Sequence, residues 1–310
     1  MTPTSHSRQY IKLILVIAIW ASLYHVAKIA TKETGPVTIA FIRYIITAAI
    51  FIFIHKFKTG NFIPKLDKSQ WLCILALGLV GICLYNLLFF SAESLISGNL
   101  VAIMYAFAPC ITTVISSYVF KARLNFLSKI GILIALLGSI GVINYATPEC
   151  GKFFCSNIFM HIGRGEVLGM LATITFACYS VISKYTSQKN VPSITMNTYA
   201  AIIGTITLGL FAFLGGDLTT IHELSLSFWL SVLYMSIIAT VIAYLWYTDA
   251  IIQLGVFRTV VFQNTIPLQA VIIGYVFFGA RIGMNELLCG VIVLIGVYIT
   301  NYALALKNKV

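Results

Sequence analysis

Apolar runs of about 20 residues, separated by short clusters of Lys, Asp, Asn, Gly and Pro, occupy nearly the whole chain. Runs that stay apolar without alternating suit membrane-crossing helices, because a barrel strand would alternate over about 10 residues. The breaks predict ten helices over 11–31, 36–55, 70–92, 96–120, 126–146, 163–185, 193–214, 226–249, 255–279 and 286–306. The expected fold is an all-α integral membrane protein. Arg8 and Lys12 precede the first run as they would in a signal peptide, but the run continues to Lys28 with no small-residue cleavage site, so it reads as a retained span.

Composition sharpens this picture. Of 310 residues, 60% are apolar and 9% charged, where a soluble domain carries about 25% charge. A water-soluble fold is excluded. The 20 Lys and Arg against 9 Asp and Glu leave a net charge of +11, which the positive-inside rule explains without nucleic acid. With both termini cytoplasmic, thirteen cations fall in inner segments and four (Lys32, Lys152, Arg164 and Arg281) in outer ones. The 147–162 loop then lies outside, where Cys150 and Cys155 of CGKFFC form a disulfide or remain free thiols. With His161 as the sole companion, no metal site is expected. The other five cysteines lie in apolar runs and act as small hydrophobes.

The chain also aligns with itself. At an offset of 156, Trp20 meets Phe176, Lys28 meets Lys184 and Pro36 meets Pro192. At 158, Pro109 meets Pro267, Ala122-Arg123 meets Ala280-Arg281 and Gly138 meets Gly296. Each copy holds five spans, an odd number, so the second must enter the bilayer in the opposite sense. The expected division is a first five-helix repeat over 1–147, an extracytoplasmic connection over 148–162 and an inverted repeat over 163–310. Two antiparallel copies can exchange conformations, which is the basis of alternating access; antiparallel repeats also occur in channels, so a pore stays open as an alternative.

The stretch IWASLYHVAKIATKETGPVTIAFIRYIITAAIF, with a proline followed by Ala-Arg fourteen residues later in both halves, resembles the EamA-type branch of the drug/metabolite transporter superfamily over the whole chain. The resemblance implies a ten-helix secondary transporter with two inverted five-helix repeats. It departs from the family at Ala122 and Ala280, where an acidic residue often precedes the Arg. It also implies a central cavity walled by the first, third, fourth, sixth, eighth and ninth helices.

Candidate substrate contacts on those helices are Trp20, Tyr24, Tyr85, Asn86, Tyr105, Tyr179, Tyr244, Gln263 and Asn264. Polar atoms at mid-bilayer need another helix, water or a ligand, so the amides are expected to face inward. Tyr24 and Tyr244 are alternatively interface-belt residues. The expected substrate is an amino acid or related amine-bearing metabolite, exported; the alternative is import of a cationic or nucleoside-like compound. Pro109 and Pro267 are expected as matched mid-helix kinks and hinges.

Arg43 is expected to snorkel to the outer headgroups, or alternatively to anchor a carboxylate or a gate. Asp249 and Arg258 are spaced for an ion pair at the inner mouth. Glu93, near headgroup level, and His25 are the candidates for a coupling proton. No phosphate loop, H-E-x-x-H or G-x-S-x-G motif is present, so neither ATP, a cofactor nor enzymatic activity is expected.

Overall fold

The computed structural model describes residues 3–121, 125–146, 162–215, 218–254, 262, 265–279 and 282–307. Among these, all regular structure is helical. We number the helices α1 (Pro3–Ala30), α2 (Pro36–Thr59), α3 (Lys68–Leu95), α4 (Gly98–Val119), α5 (Phe126–Ala146), α6 (Arg164–Gln188), α7 (Ser193–Gly215), α8 (from Leu226 into Ala243–Leu254), α9 (Ile266–Phe278) and α10 (Met284–Lys307). Among the described residues, seven (α1 to α4 and α6 to α8) contain stretches long and apolar enough to cross a membrane, and α5, α9 and α10 contribute shorter apolar segments.

Local chemistry sets the boundaries. Asp67 accepts from the Gln70 amide at 2.7 Å while its own amide donates to Gln70 Oε1 at 2.8 Å, a capping box that starts α3 two residues earlier than hydropathy alone suggests. Gly60, at φ 73°, closes α2 by donating to Lys56 O, and Lys56 and Lys58 complement that helix end. α2 therefore outlasts its apolar run.

Two helices depart from α geometry in the middle. Leu77–Leu84 in α3 and Tyr234–Ile242 in α8 are π-helical, a form usually confined to short functional stretches. The 158-residue offset carries 77–84 onto 235–242. In α8, Thr240 Oγ1 donates to Met235 O at 2.7 Å.

α4 is not one kinked rod. It breaks at Ala106-Phe107, and its second half starts with Pro109 in the first turn, just as α9 starts with Pro267. At Pro109 this corrects the expected mid-helix kink, whereas most of the segment before Pro267 lies outside the described residues. A proline has no N–H for the carbonyl four residues back, which for Pro109 is Tyr105, so the helix restarts instead of bending.

Packing gathers the main apolar core around Phe89, Phe90, Leu208, Phe228 and Met235, between α1, α2, α3, α7 and α8. α5 and α10 lie against each other. Their backbones nearly touch: a Cβ on Gly131 would lie 2.7 Å from Gly296 O, and one on Gly296 2.6 Å from Gly131 O. Such small-residue crossings are how helices associate in lipid. Phe57, Phe213 and Leu214 are among the most exposed side chains, the reverse of a soluble surface and suited to acyl chains.

Candidate functional site

Five aromatic rings from four helices form a closed circuit. Tyr24 of α1 meets Tyr105 of α4 at 6.1 Å between centroids, Tyr105 meets Phe176 of α6 at 5.0 Å, and Phe176 meets Tyr85 of α3 at 5.9 Å. Tyr85 meets Phe89 at 5.7 Å, and Phe89 returns to Tyr24 at 5.9 Å. Tyr85 and Tyr105 also touch across the circuit at 5.9 Å. Rings in mutual contact leave no ligand-sized gap between the members of the circuit. Tyr24 is buried, with 6% of its surface exposed, and is not an interface-belt residue.

Arg43 adjoins this circuit. It is 5% exposed, which corrects the snorkelling expectation. Its Nη1 donates to Asn86 Oδ1 at 3.2 Å and its Nη2 to Thr240 Oγ1 at 3.0 Å, so the guanidinium joins α2 to α3 and α8 instead of reaching outward. Asn86 is held in turn by donating to Ile82 O at 2.8 Å. Ser236 donates to Arg43 O at 3.0 Å. Arg43 Nε makes no hydrogen bond, and the charge interacts with Tyr85. Its Cζ lies 5.8 Å from the Phe90 ring.

A second polar chain runs through α7. Tyr179 donates to Asn197 Oδ1 at 3.1 Å, and Asn197 Nδ2 donates to the Tyr244 hydroxyl at 2.5 Å. Phe176 meets Tyr179 at 6.2 Å, linking this chain to the aromatic circuit. Trp20 stands apart, donating to Ala239 O in the π-helical stretch at 3.0 Å and packing on Tyr247 at 5.0 Å.

His25 bonds Ala270 O of α9 at 2.7 Å and stacks on Phe278 at 5.0 Å. Glu93, two residues before the end of α3 at Leu95, is fully buried on the inward face of that helix. Gln263, Asn264, Arg258, Cys150 and Cys155 fall outside the described residues, as does the Asp249 side chain, so neither the expected ion pair nor the disulfide is addressed.

Phe176, Phe89, Asn197 and Thr240 were not singled out from sequence. Asn197 had a signal, being a lone amide in an apolar run, and Phe176 is the repeat mate of Trp20.

Each face of the bundle carries a tie between a turn and a helix start. Glu33, in the turn after α1, accepts from the Ser225 hydroxyl at 2.6 Å, the Ser225 amide at 2.9 Å and the Ser227 hydroxyl at 3.1 Å at the beginning of α8. These donors hold its carboxyl below the usual carboxylate range, the Ser225 hydroxyl first. Lys189, after α6, donates to Ser69 at the beginning of α3, while Gln70 Nε2 donates to Lys189 O at 2.9 Å.

Residues 8–144 and 163–302 match the EamA-like transporter family. Among curated relatives, an uncharacterized transporter of Bacillus subtilis, YyaM, is 23% identical over 94% of this chain and 93% of its own length. A probable amino-acid metabolite efflux pump of Escherichia coli is 21% identical over 96% of each chain. A solved crystal structure superposes on 97% of this chain and 99% of its own with a TM-score of 0.65 at 18% identity, a likeness of fold.

Proposed function

This chain belongs to the EamA-like transporter family and is a multi-pass membrane protein, and from that premise we propose that it is a secondary carrier moving a small organic metabolite by alternating access. The observation that carries this reading is the closed aromatic circuit of Tyr24, Tyr105, Phe176, Tyr85 and Phe89 beside a buried arginine with a spare N–H. π-faces attract an ammonium group, worth about 2 kcal/mol when desolvated. A guanidinium recognises a carboxylate. Together they suit an amino acid or related amine.

Tyr179, Asn197 and Tyr244 would flank the solute on the α7 side, with Asn86 orienting Arg43. Export is favoured by the Escherichia coli and Salmonella typhimurium relatives, both named as probable amino-acid metabolite efflux pumps. The architecture we propose has ten spans in two inverted repeats, 1–147 and 163–310. Three features support it: the two π-helical stretches, the Gly138 and Gly296 positions on the paired α5 and α10, and the two turn-to-helix ties all recur at the repeat offset. The thirteen-to-four charge bias supports cytoplasmic termini in a bacterial-type cytoplasmic membrane.

The test is counterflow of labelled amino acids in proteoliposomes. We expect saturable exchange that Tyr105→Ala abolishes. Non-saturating flux would instead indicate a pore, and no exchange of any amino acid would remove this substrate class.

A further inference from the structure

A carboxyl group in α3 has no role in the circuit described above. Glu93 is fully buried, and neither of its oxygens makes a hydrogen bond. Lys28 of α1 is the neighbouring cation, but its Nζ is committed to main-chain carbonyls, donating to Glu93 O at 2.5 Å and Ile96 O at 2.9 Å. Among the described residues no ion pair reaches the Glu93 side chain. A buried carboxylate that lacks a protein hydrogen-bond partner is far costlier ionised than neutral, so this arrangement favours Glu93 with a proton on it.

The surface of the bundle is nonetheless close. Ser94 and Leu95, the next residues, are exposed, and Lys28 is only half-buried. Lys28 clamps the last carbonyls of α3, so releasing that clamp would wet the carboxyl at one rim and let it ionise. Asn99, at the start of α4, is also buried with both amide atoms unbonded.

Several titratable and charged groups surround Glu93. Lys28 and Tyr24 come from α1 and Tyr85 from its own helix, each interacting with it electrostatically. Arg43 of α2 lies further along and is bound to Asn86, and His25 is committed to Ala270 O. On α6, Gly165 lies against Leu95 and Gly169 against Ala92 of this part of α3, with Arg164 and Glu166 in the same first turn as Gly165.

We propose that Glu93 binds the proton that the carrier couples to transport, a reading that rests on the carrier function above. The step is proton transfer between water and one carboxylate oxygen, RCOO⁻ + H⁺ giving RCOOH, with no other bond changed.

Two measurements test it. Infrared difference spectra of the purified protein in lipid should show a protonated-carboxyl band in the wild type and in Glu93→Asp that is missing in Glu93→Gln. In proteoliposomes, a transmembrane pH gradient should drive labelled amino-acid flux in the wild type, while Glu93→Gln keeps counterflow and loses the response to the gradient. A band unchanged in Glu93→Gln, or a gradient response that survives the substitution, overturns the proposal. A wild type that shows the Glu93 band and moves no amino acid defeats the proposed substrate class while upholding the proton site.

Discussion

Glu33 and Lys189 stand 156 residues apart, the spacing that also aligns Lys28 with Lys184, and each ties an interhelical turn to the start of a helix from the other half of the chain. Their partners correspond too, since Ser69 and Ser227 differ by 158. The charges are opposite, so the two ties respond differently to pH.

Acid should weaken the Glu33 tie. Its carboxyl sits below the usual range when folded, so the stabilisation is present above the ordinary carboxylate range and is lost as pH falls through the folded value. Thermal unfolding of wild type and Glu33→Gln in detergent should differ near neutral pH and converge in acid. A difference that stays constant with pH would place the effect elsewhere.

Removing one partner of the Arg43 network should cost more than removing two. Asn86→Leu leaves a buried guanidinium short of an acceptor, and a hydrogen bond to a charged group is worth about 1.5–3 kcal/mol. The double variant Arg43→Met, Asn86→Leu should recover part of that loss, because no charge is then stranded. Arg43→Lys should not substitute, since an ammonium lacks the fork that spans Asn86 and Thr240. Melting temperatures of the wild type, Asn86→Leu, the double variant and Arg43→Lys decide this; a double variant no more stable than Asn86→Leu alone would contradict it.

Pro109 and Pro267 should matter for rate more than for binding. Each lies in the first turn of a helical segment beside the core, and the break before Pro109 is a natural hinge. Pro109→Ala would let the Tyr105 carbonyl regain its partner and join the two halves of α4. We expect slower counterflow with an unchanged half-saturation concentration, and a shifted half-saturation at unchanged rate would argue against the hinge.

Hydropathy made the helices legible because each must bury about 20 apolar residues in lipid, a demand that composition records directly. It was silent about the π-helical stretches, since Leu77–Leu84 has the same apolar composition in either hydrogen-bond register. The aromatic circuit was half legible. Tyr24, Tyr85 and Tyr105 stood out as amphipathic residues at matching depth, whereas Phe176 and Phe89 were hidden among 21 phenylalanines. Arg43 was misplaced, and the burial of Glu93 missed, because counting from a helix end gives depth along the axis but not the face a side chain occupies. Only packing against α1, α2 and α8 decides that.

The inverted arrangement of the two halves is tested most directly by thiol labelling. In a background with the seven native cysteines replaced, Glu33→Cys and Lys189→Cys are each exposed to a membrane-impermeant maleimide from one side of the membrane at a time. Position 33 should react only from outside intact cells and position 189 only from inside. Reaction of both from the same side would contradict opposed repeats and the alternating-access carrier built on them.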